Sequence, residues 1–396
     1  MTDLAAAAAR LRERGIRRVE SYAWRDLDDP EAGGSELHAD EIFRRWAAAG
    51  VEIVHRTSTF DQPRVFDRNG YRVVQRGGRY DVFPRVALRQ AVRRRPADTA
   101  TIEIWNGVPW FAPVWAPSRR VVWMHHVHRD MWSEAVRAPL DSVGRFVETR
   151  VAPLFYRRSQ FATLSESSAE EIAALGIDRS RLVVIPPGVH ERFTPDERER
   201  APRPHVVVVG RLAPVKRQRL ALDALARARA AVGELTVDVI GDGPDRPRVE
   251  AWVAEHDAAD WVRLRGRVGD DDLVAAYRQA WVVVSASYAE GWGMSLTEGA
   301  ACGTPCVATD IAGHRGSALP GVTGELVAAD AGDDALAAAL GAAVADLLGD
   351  GDRRAAMRQA GLLHARGLSW SAVAARHLEL LADQAGKSSS LLGNER

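Results

Sequence analysis

One segment restricts the fold of this 396-residue chain more than any other: His205-Val206-Val207-Val208-Val209, an almost uninterrupted β-branched run. Such a run suits a strand buried on both faces, as in a parallel sheet covered by helices. Beyond Val209, helix and strand patterns alternate. Helical patterns are predicted over Arg219–Val232, Pro247–His256, Asp270–Ala280 and Ser295–Cys302, and strands over Leu235–Ile240, Val262–Gly266, Trp281–Ser285 and Pro305–Thr309. Two further helical patterns, Leu336–Leu348 and Arg353–Ala365, close the series. Strands alternating with helices build a doubly wound α/β domain, whose ligands gather at the carboxyl ends of the strands.

The first half carries the same signal. Val19–Trp24, Glu36–Ala49 and Val51–Arg56 read as strand, helix and strand, with Gly50 ending the helix. Further strands are expected over Arg72–Gln75, Thr101–Trp105, Arg120–Met124, Gln160–Leu164 and Leu182–Ile185, and helices over Phe83–Arg94, Val143–Tyr156 and Ser167–Ala174. Pro186-Pro187-Gly188 and the charged, proline-punctuated stretch from Pro195 to Pro204 form the best linker. A chain of this length also exceeds one ordinary core. The expected organisation is an N-terminal domain over 1–195, a linker at 196–204 and a C-terminal domain over 205–368. A helix over 369–385 would cross back to the first domain, and 386–396 would be a disordered tail.

Charge excludes some partners. Acidic and basic residues number 53 each, so a nucleic-acid binder, which needs a basic excess, is disfavoured. No apolar run approaches the roughly 18–20 residues that cross a bilayer. The expected location is therefore the cytoplasm, with room for work at the cytoplasmic face of a membrane. Cys302 and Cys306 have no nearby metal-ligand partners and read as small core residues. Cations are almost all arginine, with lysine only at 216 and 387. An internal lysine in such a chain either marks a place where a compact point charge is wanted, at 216, or is chance in an arginine-biased composition.

Two loops carry the chemistry. In Glu290-Gly291-Trp292-Gly293-Met294-Ser295-Leu296-Thr297-Glu298 a glycine-broken turn leads into a helix, whose free N–H groups form an anion site suited to a pyrophosphate. Glu298, about one turn in, suits a ribose and Glu290 suits sugar hydroxyls. Alternatively, Glu298 is a first-turn carboxylate favoured by the dipole, and Glu290 an ordinary loop acid. The second loop, Gly210-Arg211-Leu212-Ala213-Pro214-Val215-Lys216, follows a strand and precedes a helix. Arg211 and Lys216 there would neutralise a departing nucleoside diphosphate, unless the loop is simply solvated. Gly241-Asp242-Gly243-Pro244 is a third turn at a strand end and lacks the dinucleotide fingerprint.

Together with Gly266-Arg267-Val268 and Ala301-Cys302-Gly303-Thr304-Pro305, these motifs resemble the C-terminal domain of family-4 retaining glycosyltransferases, the group-1 glycosyl transferases, over about Val206 to Val327. The resemblance implies the GT-B architecture: two Rossmann-like doubly wound parallel-sheet domains facing a deep cleft. It implies that Arg211 and Lys216 hold the diphosphate, Glu298 the ribose and Glu290 the donor sugar. Arg267 and Val268 would face the base, while the amides of Gly293, Met294 and Ser295 would meet the phosphates. Gly210, Gly241, Asp242, Gly243, Gly291, Trp292 and Leu296 would line the donor pocket.

The N-terminal half matches more loosely. Gly33-Gly34 lies before the first long helix, where the family has a glycine pair close to donor phosphate and acceptor. The segment Trp123-Met124-His125-His126-Val127-His128 follows a strand, where the family has a histidine contacting the reacting sugar. His126 is favoured, then His125, with a buried structural histidine as the alternative; His128 and Trp110 are assigned to the acceptor with Gly34. Trp105, Trp110, Trp115, Trp123 and Trp132 either stack on sugars or fill cores. The basic run Arg85–Arg95 is read as a solvated helix face ahead of a contact with anionic lipid. Asp26, Asp28 and Asp29 either bind acceptor hydroxyls or cap a loop.

The implied reaction is metal-independent hexosyl transfer from a nucleotide sugar, UDP before GDP, to a glycan, glycolipid or natural-product hydroxyl. The sugar nucleotide is a co-substrate, and no cofactor is implied. Asp270-Asp271-Asp272 superficially resembles a metal site, but helix-dipole complementation accounts for it. The alternatives are another GT-B enzyme, such as a sugar-nucleotide epimerase, or a non-catalytic sugar-nucleotide-binding module. The expected state is a monomer or weak homodimer.

Overall fold

The computed structural model describes residues 3–30, 32–92, 96–116, 119–128, 132, 138–330 and 332–393. Two compact units divide the chain, Met1–Gly188 with Trp370–Arg396, and Val189–Ser369. The boundary is therefore earlier than the expected 196–204. That stretch belongs to the second unit for a physical reason: Arg200 donates to the Gly303 carbonyl at 2.9 Å and to Thr304 Oγ1 at 3.0 Å, and Trp281 Nε1 donates to the Ala201 carbonyl at 2.8 Å.

The second unit is a six-stranded parallel sheet. In chain order its strands are β9 (His205–Val209), β10 (Thr236–Ile240), β11 (Val262–Gly266), β12 (Val282–Ser285), β13 (Cys306–Asp310) and β14 (Gly324–Ala328). Their spatial order is β11-β10-β9-β12-β13-β14, with Val206 opposite Val237 on one side and Val282 on the other. The strand order reverses between β9 and β12, so their carboxyl ends part and open a crevice. Val206, Val207, Val282 and Val283 are fully buried, which is what a run such as Val206–Val209 requires. β14 and the short helix Ala312–Ser317 are additions to the predicted elements.

Among the described residues the first unit holds eight strands: β1 (Arg18–Tyr22), β2 (Glu52–Thr57), β3 (Arg64–Arg68), β4 (Tyr71–Gln75), β5 (Thr99–Ile104), β6 (Arg120–Trp123), β7 (Gln160–Thr163) and β8 (Leu182–Val184). Their order is β3-β4-β2-β1-β5-β6-β7-β8, all parallel except the β3–β4 hairpin. The expected helix Val143–Tyr156 is interrupted by a π turn over Val147–Val151, the expected helix Phe83–Arg94 is observed as Val82–Val92, and 93–95 of the basic run lie outside the described residues. The C-terminal helix Trp370–Gly393 packs within this unit: Trp46 Nε1 donates to the Ala374 carbonyl at 2.8 Å, and Arg10 pairs with Asp383 at 2.7 Å. It runs through most of the serine-rich stretch expected to be a disordered tail; 394–396 lie outside the described residues, and the side chain of Lys387 is likewise not described. Among the described residues no helix is long and apolar enough to cross a membrane.

Candidate active site

In the second unit the turns after β9 and β12 bring two of the sequence-predicted residues into contact. Lys216 ends a 3₁₀ turn, Pro214–Lys216, and its Nζ lies 2.9 Å from Glu290 Oε1. The Lys216 stem passes beside Gly210, with Cε 3.8 Å from where a Cβ would stand, an ordinary contact distance. Glu290 also accepts from Ser287 Oγ at 2.6 Å and faces His314 Nε2 at 3.4 Å. Burial pushes its pKa up, but Lys216, then His314 and Ser287, outweigh this and hold the carboxyl well below the usual range. Glu290 is thus a fixed anion.

Its surroundings were not anticipated. His314, wholly buried, sits on the helix Ala312–Ser317 with Nδ1 2.8 Å from the Thr309 carbonyl and Nε2 3.3 Å from Ser285 Oγ. Gly313 allows the approach, because a side chain there would strike the Glu290 carbonyl. The only signal in the sequence was a Gly-His pair just past a predicted strand, at the same sheet edge as Arg211 and Glu290.

Gly241 and Gly243 act one layer back. A Cβ on Gly241 would collide with the Gly210 carbonyl, and one on Gly243 would come within 3.1 Å of Arg211 Cγ. The two turns pack backbone to backbone, which fixes where Arg211 leaves the sheet. Asp242 is used locally, accepting from the Gly243 N–H at 2.8 Å. Arg267 is exposed and Val268 is half-buried against the core.

The helix Met294–Ala301 begins at the glycine-broken turn, as the sequence predicts. Glu298 accepts from Tyr277 Oη at 2.8 Å, and burial pushes its pKa up to about 7 against the pull of Tyr277 and Arg192. Three assignments here need correction. The Met294 N–H already bonds the Trp292 carbonyl at 3.1 Å, Leu296 is in the core at 1 % exposure, and Trp292 is buried. Gly291, Gly293 and Ser295 remain on the turn and the helix start. Asp270, Asp271 and Asp272 occupy the first turn of the helix Asp270–Gln279, as dipole complementation requires. Cys302 and Cys306 are buried thiols, each pushed up to about 12 by burial.

In the first unit Gly33 and Gly34 are exposed at the start of the helix Gly34–Ala48, with the Gly33 N–H donating to Glu36 at 2.8 Å. After β6, His125 and His128 are buried and His126 is partly exposed. His125 packs against His38, ring centres 4.8 Å apart, and is a structural histidine. The His128 backbone N–H donates at 3.1 Å to Glu148, which also takes the Trp132 Nε1 hydrogen at 2.9 Å from within the π turn. Glu148 therefore anchors the loop that presents His126.

The proposed acceptor contacts fare less well. Trp110 is 2 % exposed, donates to the Ile104 carbonyl and packs on Tyr22 and Phe83. Trp105, Trp115, Trp123 and Trp132 are also buried, so these tryptophans fill cores. Asp26 is buried and accepts from Arg68 at 2.6 and 3.0 Å and Gln75 at 2.7 Å, while Asp28 pairs with Arg64 at 2.5 Å and Arg68 at 2.8 Å. The β3–β4 hairpin consumes both carboxylates.

Comparison with known proteins decides the family. The profile of Glycosyl transferases group 1 matches residues 190–364, and that of Glycosyltransferase Family 4 matches 32–193. D-inositol 3-phosphate glycosyltransferase of Geodermatophilus obscurus is 31 % identical, over 92 % of this chain and 89 % of its own. The chain belongs to the family-4 glycosyltransferases. A GDP-mannose-dependent phosphatidylinositol monomannoside mannosyltransferase of Mycolicibacterium smegmatis is 29 % identical over 80 % of this glycosyltransferase and 85 % of its own length. Among solved structures, sucrose-phosphate synthase of Thermosynechococcus elongatus superposes with a TM-score of 0.74 at 20 % identity, covering 96 % of this chain and all of that one. Anabaena HepE, solved with UDP and glucose, gives 0.71 at 16 % identity, covering 93 % of this chain and 100 % of its own. The fold is GT-B, and the two parallel sheets are its two Rossmann-like domains.

Proposed function

We propose that this glycosyltransferase moves a hexosyl group, with retention and without a metal, from a nucleoside-diphosphate sugar to a hydroxyl of a glycan, glycolipid or natural-product acceptor in the cytoplasm. The observation that carries the reading is the Lys216–Glu290 pair at the crevice between β9 and β12. A lysine beside a strand end meets the diphosphate, and an anion held ionised accepts hydrogen bonds from sugar hydroxyls. UDP is preferred over GDP; the UDP in the HepE structure supports the first, and the GDP-mannose of the mycobacterial relative keeps the second in play. Inositol phosphate and phosphatidylinositol mannoside in the relatives' names favour a polyhydroxyl acceptor.

In this mechanism the anomeric carbon–phosphate oxygen bond breaks while a bond to the acceptor oxygen forms on the same face. The leaving phosphate oxygen takes the acceptor's proton. Arg211, Lys216 and the amides of Gly293 and Ser295 at the start of Met294–Ala301 stabilise the charge that grows on the diphosphate. Glu298 holds the ribose and Arg267 and Val268 lie toward the base, while Gly34 and His126 serve the acceptor side.

Incubation with UDP-, GDP- and ADP-sugars is expected to raise the Tm with at least one of them and to give slow donor hydrolysis. If none stabilises the protein, the reading fails; conversion of the donor to its epimer would indicate an epimerase instead. A second expectation concerns pH. Ribose hydroxyls bond the ionised form of Glu298, so binding pulls its pKa down from about 7 and releases a proton. UDP affinity should therefore rise about tenfold from pH 6 to pH 8. Calorimetry checks this, and Glu298→Gln should flatten the profile; an equally steep profile in the variant would remove Glu298 from the ribose.

A further inference from the structure

One face of the first unit's sheet carries a groove of about 240 Å³ that runs over β1, β2 and β4 to Arg89 on the helix Val82–Val92. Strand side chains alternate between faces, and the opposite face takes an apolar set, with Val19, Ile53 and Val73 buried. The groove receives five arginines against two glutamates, in a chain whose acidic and basic residues balance. Arg56 lies opposite Val74 on β4, so Arg72 and Arg76, two positions to either side of Val74, flank it on the same face.

The carboxylates present do not meet this charge. Glu52 is committed to Arg18 at 2.6 Å. Glu20, 2 % exposed, accepts from Tyr22 Oη at 2.7 Å and gives Arg56 a hydrogen bond of 3.4 Å. The Arg56 side chain is itself 13 % exposed, and its buried Nε has no hydrogen-bond partner among the described residues. Asp67 holds Arg72 at 3.2 Å in an exposed pair. Among the described residues Arg76 and Arg89 pair with no carboxylate. A guanidinium drawn out of water needs its N–H donors met, and like charges side by side on a sheet face destabilise it. One multivalent anion relieves both penalties. Phosphate suits the place, because its oxygens accept the bidentate fork of arginine and one phosphoryl group brings close to two charges at pH 7.

We propose that this groove is an anion site separate from the donor crevice, binding the phosphate group of a phosphomonoester or diphosphate between Arg56, Arg72, Arg76 and Arg89. It is built from the first unit alone, whereas Lys216, Glu290 and Glu298 stand in the second, so it does not rest on the donor reading. Soluble phosphate compounds and phospholipid headgroups share this chemistry, and the experiment separates them.

The full chain is titrated with inorganic pyrophosphate beside Arg76→Gln/Arg89→Gln and followed by calorimetry and thermal unfolding. Both side chains are exposed, and without anion the variant should unfold at or above the wild-type temperature, since repulsion is reduced. Pyrophosphate should raise the wild-type Tm, less so as salt increases. The variant should lose about a hundredfold in affinity at the groove, two charge-assisted hydrogen bonds being removed. Binding at the donor crevice is common to both chains, and Lys216→Met should weaken it while leaving the groove's in place. The second arm is sedimentation with phosphatidylcholine vesicles, with and without phosphatidic acid. Loss of pyrophosphate binding in the double variant assigns a soluble phosphate; loss confined to the phosphatidic acid vesicles assigns a lipid headgroup. Equal binding by wild type and variant in both arms overturns the inference, and Arg72→Gln replaces the double variant should that fail to fold.

Discussion

Lys216→Met should lower turnover by about a hundred- to a thousandfold, the loss typical when one donor to a developing charge is removed. It should also destabilise the protein, since Glu290, 9 % exposed at its side chain, loses the cation that holds it ionised. Breaking such a pair costs up to about 3–5 kcal/mol, limited here by Ser287, His314 and protonation of the carboxyl. The two effects are separable. Adding Glu290→Gln to Lys216→Met removes the uncompensated anion, so thermal stability should recover while turnover stays low. Lys216→Arg tests the point-charge idea. A planar guanidinium spreads the charge that the ammonium concentrates at one point and presents its donors in a fixed fork, so activity should fall despite the retained charge. Wild-type turnover in Lys216→Met would end the assignment of Lys216 to the diphosphate, and wild-type turnover in Lys216→Arg would end only the point-charge argument. Steady-state kinetics and thermal unfolding suffice for all four chains.

The elements that position this pair were legible because they depend on local pattern. A β-branched run such as His205–Val209 has one good home, a strand between two others, and a glycine turn followed by helix periodicity marks the anion site after β12. What the pattern could not carry was contact between distant residues. His314 meets Glu290 only because β13 lies beside β12, and nothing in Ala312–Ser317, rich in glycine and serine, announces a helix. The tryptophans show the same limit: composition cannot tell a sugar platform from a core, and Tyr22, Trp110 and Trp115 turn out to pack on one another. The Asn69-Gly70 turn, with φ of 47° and 86°, is a local signal for the tight hairpin that sets β3 beside β4 and brings Arg68 to Asp26.

Acid should unfold the first unit early, and three histidines set the pH. His38 on the helix Gly34–Ala48, His125 after β6 and His377 on the helix Trp370–Gly393 form one buried cluster, with His38 ring centres 4.8 Å from His125 and 5.5 Å from His377. Trp123 and Trp370 wall it, and the neighbouring charges, Arg376 and His126, are cations or potential cations. Among the described residues, neither ring nitrogen of His38 or His377 has a hydrogen-bond partner. Burial first, and then the neighbouring cations, push all three pKa values down, that of His377 to about 3. His55, beside Asp26 and Arg68, is likewise lowered, to about 4, chiefly by burial. At these four histidines the unfolded chain therefore binds more protons than the fold between those lowered values and the ordinary value near 6.5, outnumbering Glu103 and Glu298, which burial raises to about 7 and which keep a proton in the fold. Stability must fall as the pH drops through this window. A histidine that stays neutral in the fold costs about 2 kcal/mol by pH 5, and three cost about 6, a large share of a typical 5–15 kcal/mol. His377→Leu keeps an apolar side chain against Trp123 and removes one titration. The variant should unfold near the wild-type temperature at pH 7.5 and gain about 2 kcal/mol over wild type at pH 5. Thermal unfolding across that range decides it: parallel Tm curves for the two proteins would mean that acid sensitivity arises elsewhere, whereas a gap that opens only below pH 6.5 ties it to the imidazole that docks the C-terminal helix.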